Sequence, residues 1–171
     1  MAISLNIKKL FNSSPKKVGK KSNISISKNP SKPKNILILF PLNEDFFRAA
    51  SYAYRNLPYS KRQISFHYIV NDDFTDFFSL RRGTIHKYLL NAKNKIINKD
   101  ILIKELKKYN FDIIIDLNIN YEPELIDFIN KESNYKIGFQ HKYSDELYNV
   151  QVSISKSSIA EKGFQKILEL I

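Results

Sequence analysis

The apolar residues of the chain fall into short, continuous runs, and segments with helical spacing lie between these runs. The clearest run is Ile113-Ile114-Ile115-Asp116-Leu117, which is rich in β-branched residues and holds a single carboxylate. A continuous apolar run is typical of a strand that is buried on both faces of a sheet. Helices must then cover both faces of that sheet, so the pattern predicts an α/β fold.

Further runs and helical patterns extend this prediction over the rest of the chain. Strands are predicted at 35–40, 64–70, 85–90, around 113–117, at 135–139 and at 148–154; helices are predicted at 45–57, 74–80 (a short helix or turn), 100–108, 123–131 and 159–171. This order predicts a single Rossmann-like domain, with an open, mostly parallel sheet of about six strands and right-handed crossovers. Asp100 is expected to cap its helix, and Phe47, Ala50, Tyr54 and Leu57 to form a buried face.

The first 34 residues have a different composition. Ser, Asn, Lys and Pro dominate residues 12–34, and such a segment cannot bury a core. Residues 1–11 place Ile3, Ile7, Leu10 and Phe11 on one face of a helix. The sequence therefore predicts a basic, mostly disordered N-terminal arm over 1–34 and a Rossmann-like domain over 35–171.

The net charge of +11 belongs mainly to this arm. Nine of the 28 basic residues and none of the 17 acidic residues lie in it, so residues 35–171 carry a net charge of only +2. Lysines expected to bind an anionic surface are Lys8, Lys9, Lys16, Lys17, Lys20 and Lys21. Three interpretations stay open: a solvated arm, an amphipathic anchor on a membrane surface, and an arm that binds RNA or the ribosome.

Other features of the sequence exclude several kinds of site. The chain has no Cys and only four Gly, and it contains no glycine-rich nucleotide-binding motif, so we expect no cofactor. His67, His86 and His141 lack the spacing of metal ligands, and we expect no metal. Asp72, Asp73 and Asp76 are expected to face solvent or to cap a helix. No apolar run has transmembrane length, so the expected location is cytoplasmic, with peripheral association at the inner membrane face as an alternative.

Polar residues follow the first and fourth strands. In a doubly wound sheet these two strands are neighbours at the point where the strand order reverses, and ligands bind outside their carboxyl ends. The expected crevice residues are Asn43, Glu44, Asp45, Asp116, Asn118 and Asn120. Carboxylates and amides there suit a sugar, a cation or general-base chemistry. The alternative is that these residues are helix caps and solvated loop ends.

Three segments carry a resemblance to a known family. Residues 109–120, YNFDIIIDLNIN, resemble a K-Y-D-hydrophobic-D-L-x-G-N pattern, residues 135–139, YKIGF, resemble an R-I-G-F/Y strand, and residues 35–57 resemble an opening strand, Gly-Asp turn and helix. All three patterns belong to the N-terminal half of the heptosyltransferases of glycosyltransferase family 9, which have the two-domain GT-B fold. The resemblance implies that Asp45 corresponds to the catalytic base, although Glu44 and Ile119 replace glycines of the family. It also implies that the C-terminal donor domain is missing.

This resemblance implies a non-catalytic binding or scaffold protein, derived from the acceptor-side half of a glycosyltransferase and tethered by its arm. One alternative is a ribosome- or RNA-associated protein that uses the lysines of the arm. Another is the acceptor-binding subunit of a two-chain enzyme, in which a partner protein replaces the donor domain. No catalysis is expected from the chain on its own.

Overall fold

A computed structural model describes residues 33–57, 63–78, 82–130, 133–154 and 160–171, except for the side chain of Asn134. Nearly all of the N-terminal arm lies outside these residues. The predictions about the arm, its lysines and the domain boundary therefore stay predictions. In the part of the chain that the structure describes, no helix is long and apolar enough to cross a membrane.

The described residues form six strands and five α-helices. The strands are β1 (Asn35–Leu39), β2 (Ser65–Asn71), β3 (Thr84–Tyr88), β4 (Phe111–Asp116), β5 (Ser133–Phe139) and β6 (Val150–Val152). The helices are α1 (Glu44–Tyr54), α2 (Lys99–Leu106), α3 (Ile126–Ile129), α4 (Ser144–Leu147) and α5 (Ala160–Leu168). Short 3-10 helices cover Asp72–Phe77 and Pro123–Leu125.

The six strands form one sheet in the order β3-β2-β1-β4-β5-β6, and every neighbouring pair is parallel. The predicted open α/β sheet is confirmed. Leu39 of β1 aligns with Ile69 of β2 on one side and with Asp116 of β4 on the other. Since the strand order reverses between β1 and β4, the carboxyl ends of these two strands mark the expected ligand position.

Helix α1 forms where the sequence predicts it. The Oδ1 atom of Asn43 accepts a hydrogen bond from the Phe46 amide at 3.1 Å, which caps the helix. Phe47, Ala50 and Tyr54 are fully buried on its inner face, as predicted. Helix α1 is therefore fixed at its N-terminus beside the carboxyl end of β1.

The predicted start of α2 is wrong. The helix begins at Lys99, and Asp100 lies within its first turn. The residue before the helix, Asn98, binds the segment after β3 instead: its side chain accepts from the Leu89 amide and donates to the Lys87 carbonyl, both at 3.0 Å. These bonds set the position at which α2 starts. Ile101 is 70% exposed, although it belongs to the apolar pattern that predicts a helix over 100–108.

The two faces of the sheet differ in polarity. On the α1 face, helices α1 and α5 cover a core rich in aromatic residues, namely Phe40, Phe47, Tyr54, Phe66, Tyr68, Phe139 and Phe164. On the α2 face, helices α2 and α3 cover a core in which aliphatic side chains outnumber aromatic ones. Because side chains alternate along strands, His67, His86, Tyr88 and Asp116 share this second face. The polar chemistry of the strands is therefore concentrated on the α2 face.

Candidate functional site

Asp116 ends β4, and its side chain is buried at the carboxyl edge of the sheet, only 2% exposed. The Tyr148 hydroxyl donates a hydrogen bond to its Oδ2 atom at 2.6 Å. The backbone and side-chain nitrogens of Asn118 both donate to its Oδ1 atom, at 2.9 and 2.7 Å. Three donors thus converge on one carboxylate, which can hold a negative charge in the interior only with such partners.

Asn118 also connects this carboxylate to the loop after β1. Its Oδ1 atom accepts a hydrogen bond from the Leu42 amide at 2.9 Å. The Leu117 amide donates to the Leu39 carbonyl at 3.0 Å, which continues the pairing of β4 with β1. The loops that follow β1 and β4 are therefore held together at the point where the strand order reverses.

Burial dominates the electrostatics of this edge. Desolvation raises the pKa of Asp116 above its ordinary value, although the Tyr148 and Asn118 hydrogen bonds oppose the shift. The pKa of Glu122 is also raised, first by partial burial and then by the charge of Asp116. Burial, followed by the charge of Asp116, raises the pKa of the Tyr148 hydroxyl, which stays protonated and acts as a donor.

Aromatic rings surround the network on its outer side. The ring centroids of Tyr121 and Tyr143 are 4.6 Å apart, and Tyr121 lies 5.7 Å from His141. His141 in turn packs edge-on against Tyr148, with centroids 5.6 Å apart. Tyr121 and Tyr143 are 38% and 39% exposed. We call Tyr121, His141 and Tyr143 the aromatic rim; it gives the edge both apolar ring faces and polar tips.

His141 has a defined orientation within the rim. The Tyr143 amide donates to its Nδ1 atom at 3.1 Å, so the proton of the neutral ring is on Nε2. That Nε2 atom faces the Tyr148 hydroxyl at 3.5 Å. The contacts run from the rim through Tyr148 to Asp116, so that the partly exposed rim is connected to the buried carboxylate.

Gly138 of β5 makes room for Tyr148. A Cβ atom at this position would lie 2.5–2.7 Å from three carbon atoms of the Tyr148 ring, well inside van der Waals contact. The ring can therefore reach Asp116 only because residue 138 has no side chain.

The structure separates the predicted crevice residues into two groups. Asp116 and Asn118 are buried and hydrogen-bonded to each other. The others, Asn43, Glu44, Asp45 and Asn120, are exposed. Asn43 caps α1, and Glu44 forms an ion pair with Arg48 at 2.6 Å. The roles of these residues in ligand binding, and of Asp45 as a base, stay predictions.

The aspartates after β2 follow the solvent-facing interpretation, since Asp73 and Asp76 are exposed and none of the three caps the helix. Asp72 and Asp73 lie in the first turn of a 3-10 helix that Asn71 caps. Asp72 also pairs with Lys87 at 2.9 Å. Among the described residues, no group of three or more His, Asp or Glu side chains is arranged to hold a metal ion.

Sequence reasoning missed Tyr148 and His141. The apolar pattern predicts that Tyr148 belongs to the sixth strand, whereas it follows α4 and precedes β6. The spacing of His141 bears only on metal binding. A usable signal was present: His141 comes just after β5, and the carboxyl ends of all parallel strands meet at the same edge.

A second polar cluster lies deeper on the α2 face. His67 of β2 and His86 of β3 are buried, and His67 Nδ1 lies 3.1 Å from His86 Nε2. His86 Nδ1 lies 3.0 Å from a carboxylate oxygen of Glu105 on α2. Since the carboxylate accepts, His86 Nδ1 donates, and neutral His86 then accepts from His67.

We expect the histidine pair to stabilise the contact of β2, β3 and α2. His67→Leu or His86→Leu alone removes one partner of a buried hydrogen bond and is expected to cost about 2 kcal/mol of unfolding free energy. The double variant removes both partners and should cost less than the sum of the single variants by about 1 kcal/mol or more. Urea denaturation of the four proteins measures this coupling. Strictly additive losses would show that the pair contributes nothing.

Comparison with known proteins supports the fold. No protein-family model and no curated protein matches the sequence. Among solved structures, E. coli heptosyltransferase WaaC with ADP has a TM-score of 0.60 at 14% identity, over 80% of this chain and 47% of that one. A family 9 glycosyl transferase from Veillonella parvula DSM 2008 has a TM-score of 0.61 at 16% identity, over 80% and 41%.

A third structure, E. coli ADP-heptose lps heptosyltransferase II, has a TM-score of 0.56 at 11% identity, over 78% of this chain and 40% of that one. The chain thus spans less than half the length of each of these enzymes. The expected resemblance to glycosyltransferase family 9 is confirmed at the level of the fold, and the coverage is consistent with one half of such an enzyme.

Proposed function

We propose that this chain is a binding module, with the fold of one half of a family 9 glycosyltransferase, that holds a hydroxyl-rich ligand such as a saccharide at the carboxyl edge of its sheet. One observation carries the proposal. The buried Asp116 carboxylate, bonded to Tyr148 and Asn118, organises the loops at the point of strand reversal beneath a partly exposed aromatic rim.

The chemistry of this edge suits hydroxyl groups. The buried Asp116 carboxylate already accepts three hydrogen bonds, so its role is to position Tyr148 and the two loops, whereas the ligand contacts come from groups that still have hydrogen-bonding capacity. Tyr121 and Tyr143 offer ring faces for the apolar side of a sugar and hydroxyls for its polar side. Asn120 adds an exposed amide that both donates and accepts. A few polar groups among aromatic surfaces are the usual composition of small-molecule sites.

The proposal treats the module as non-catalytic by itself. Glycosyl transfer requires donor and acceptor to be held together in one geometry. The fold match covers less than half of each similar enzyme, so a complete transferase site needs further structure from the same or another polypeptide. Two further roles belong to the proposal: Asp45 acts as a base for such an assembly, and the N-terminal arm is a tether to an anionic membrane or RNA surface.

Saccharide binding is tested by NMR titration of the full chain with glucose, galactose and mannose. We expect shifts in amides of the loops after β1, β4 and β5. Tyr121→Ala and Tyr143→Ala should each weaken binding about tenfold, which corresponds to about 1.4 kcal/mol. Tyr52→Ala is the matched control, because Tyr52 is a 64% exposed tyrosine near the far end of α1. The proposal fails if no sugar shifts these loops, or if all three variants bind equally.

A further inference from the structure

Tyr88 has a buried hydroxyl group without a partner. It is the last residue of β3, its side chain is 0% exposed, and its Oη atom makes no hydrogen bond within the described part of the chain. Buried hydroxyls nearly always find a partner, because an unpaired polar group in the interior is costly. An unpaired one at the carboxyl edge of a parallel sheet is a candidate ligand contact.

The surroundings of this hydroxyl are acidic. Tyr88 aligns with Asn71 of β2 and packs on the α2 face, the face that also carries Asp116. Burial is the main cause that raises the pKa of Tyr88, and the negative charges of Glu122, Asp116 and Asp73 raise it further. The Tyr88 hydroxyl is therefore within electrostatic reach of carboxylates from the loops after β2 and β4.

These charges restrict what can bind to the hydroxyl. A ligand hydroxyl can accept a hydrogen bond from Tyr88 and donate one to a nearby carboxylate, so it satisfies both groups at once. A phosphate also accepts from Tyr88, but it brings negative charge next to several carboxylates, and like charges close together are costly. The environment thus distinguishes a neutral hydroxyl from a phosphate.

We propose that Tyr88 is a specificity-determining residue that binds a hydroxyl of a neutral sugar, and that the acidic groups around it exclude phosphorylated sugars. This inference rests on the proposed function, since it names the charge class of the ligand at the same edge of the sheet. It adds a residue from β3 to a site that is otherwise built from the loops after β1, β4 and β5.

Tyr68 of β2 provides a matched control. Its side chain is also 0% exposed, and its Oη atom also has no hydrogen-bond partner among the described residues. It packs on the opposite, α1 face, where its ring lies near Phe40, Phe66 and Phe78. Tyr68→Phe thus removes the same kind of atom on the other side of the sheet.

The test compares Tyr88→Phe, Tyr68→Phe and the unaltered full chain in two measurements. Without ligand, neither variant should melt more than about 1 °C below the unaltered chain, because each loses only an unpaired hydroxyl. NMR titrations then use glucose, galactose and mannose together with their 6-phosphates. For the sugar that binds best, the 6-phosphate should bind at least about tenfold more weakly. Tyr88→Phe should weaken binding of the neutral sugar about tenfold and reduce the difference in affinity between the neutral sugar and its 6-phosphate. Tyr68→Phe should change the affinity for the neutral sugar by no more than about twofold.

Several results would overturn the inference while leaving the proposed function intact. One is a lower melting temperature for Tyr88→Phe alone, which would show that its hydroxyl already has a partner such as water. Others are equal binding of neutral and phosphorylated sugars, or unchanged sugar binding by Tyr88→Phe. If none of the six sugars shifts the amide signals of the loops at the carboxyl edge, the proposed function is wrong, and so is the ligand class inferred for Tyr88.

Discussion

Gly138→Ala is expected to lower the unfolding free energy by about 3 kcal/mol, which corresponds to a fall of about 10 °C in melting temperature. The added Cβ would overlap three atoms of the Tyr148 ring. Tyr148 is only 7% exposed and donates to Asp116, so the ring can move aside only by losing that hydrogen bond. The loss combines overpacking with a weakened bond to a buried carboxylate.

A double-variant comparison isolates this mechanism. In a Tyr148→Leu background the ring and its hydroxyl are absent, so Gly138→Ala should cost less than about 1 kcal/mol. Thermal and urea denaturation of the four proteins gives the coupling energy. If Gly138→Ala costs the same amount in both backgrounds, the close approach of Tyr148 is not the reason for glycine at this position.

The unfolding free energy of the unaltered protein is expected to fall as the pH rises, and Asp116→Asn is expected to abolish this fall. Because burial raises the pKa of Asp116 in the folded state above the ordinary value of 3.8, the folded protein binds its proton more tightly than the unfolded chain does. This proton uptake stabilises the fold below about pH 4, and the stabilisation is lost as the pH rises through the folded pKa. The limiting slope is about 1.4 kcal/mol per pH unit.

The asparagine can keep the hydrogen bonds of the site. Its oxygen can accept from both Asn118 nitrogens, and its amide can donate to the Tyr148 hydroxyl, which can rotate to accept. The variant also lacks the Asp116 charge that helps to raise the pKa of Glu122, so Glu122 should contribute less to the pH dependence of the unfolding free energy. The measurement is urea denaturation of both proteins from pH 4 to pH 8. Parallel curves of stability against pH would contradict the assignment of this pH dependence to Asp116.

The candidate site shows how far sequence reasoning reached. The rule that ligands bind at the carboxyl ends of strands located Asp116 and Asn118, since both lie at the end of the clearest apolar run of the chain. The same rule, applied to β5, would have located His141. Tyr148 gave no such signal, because its partner Asp116 is 32 residues away in sequence. Contacts of this kind depend on which strands become neighbours.

The start of α2 likewise depends on a contact between segments that are separate in the sequence. The pattern of residues 100–108 predicted a helix correctly, but not its start or the full extent of its buried face. The Asn98 side chain bonds the chain just after β3, and this tertiary contact determines where the helix begins. Local capping preferences are weak compared with such contacts, so helix ends are less predictable than helices.

By itself the sequence determined the α/β class, the strands, the main helices and the neighbouring positions of β1 and β4. These features follow from local apolar patterns and from general rules of chain connection, which a single segment or pair of segments already expresses. Only the tertiary structure decided that Asp116 is buried rather than open, that Tyr148 and Gly138 support it, and that Tyr88 is left without a partner. Burial and hydrogen bonding between distant segments depend on how side chains pack across the sheet, and no local pattern records that packing.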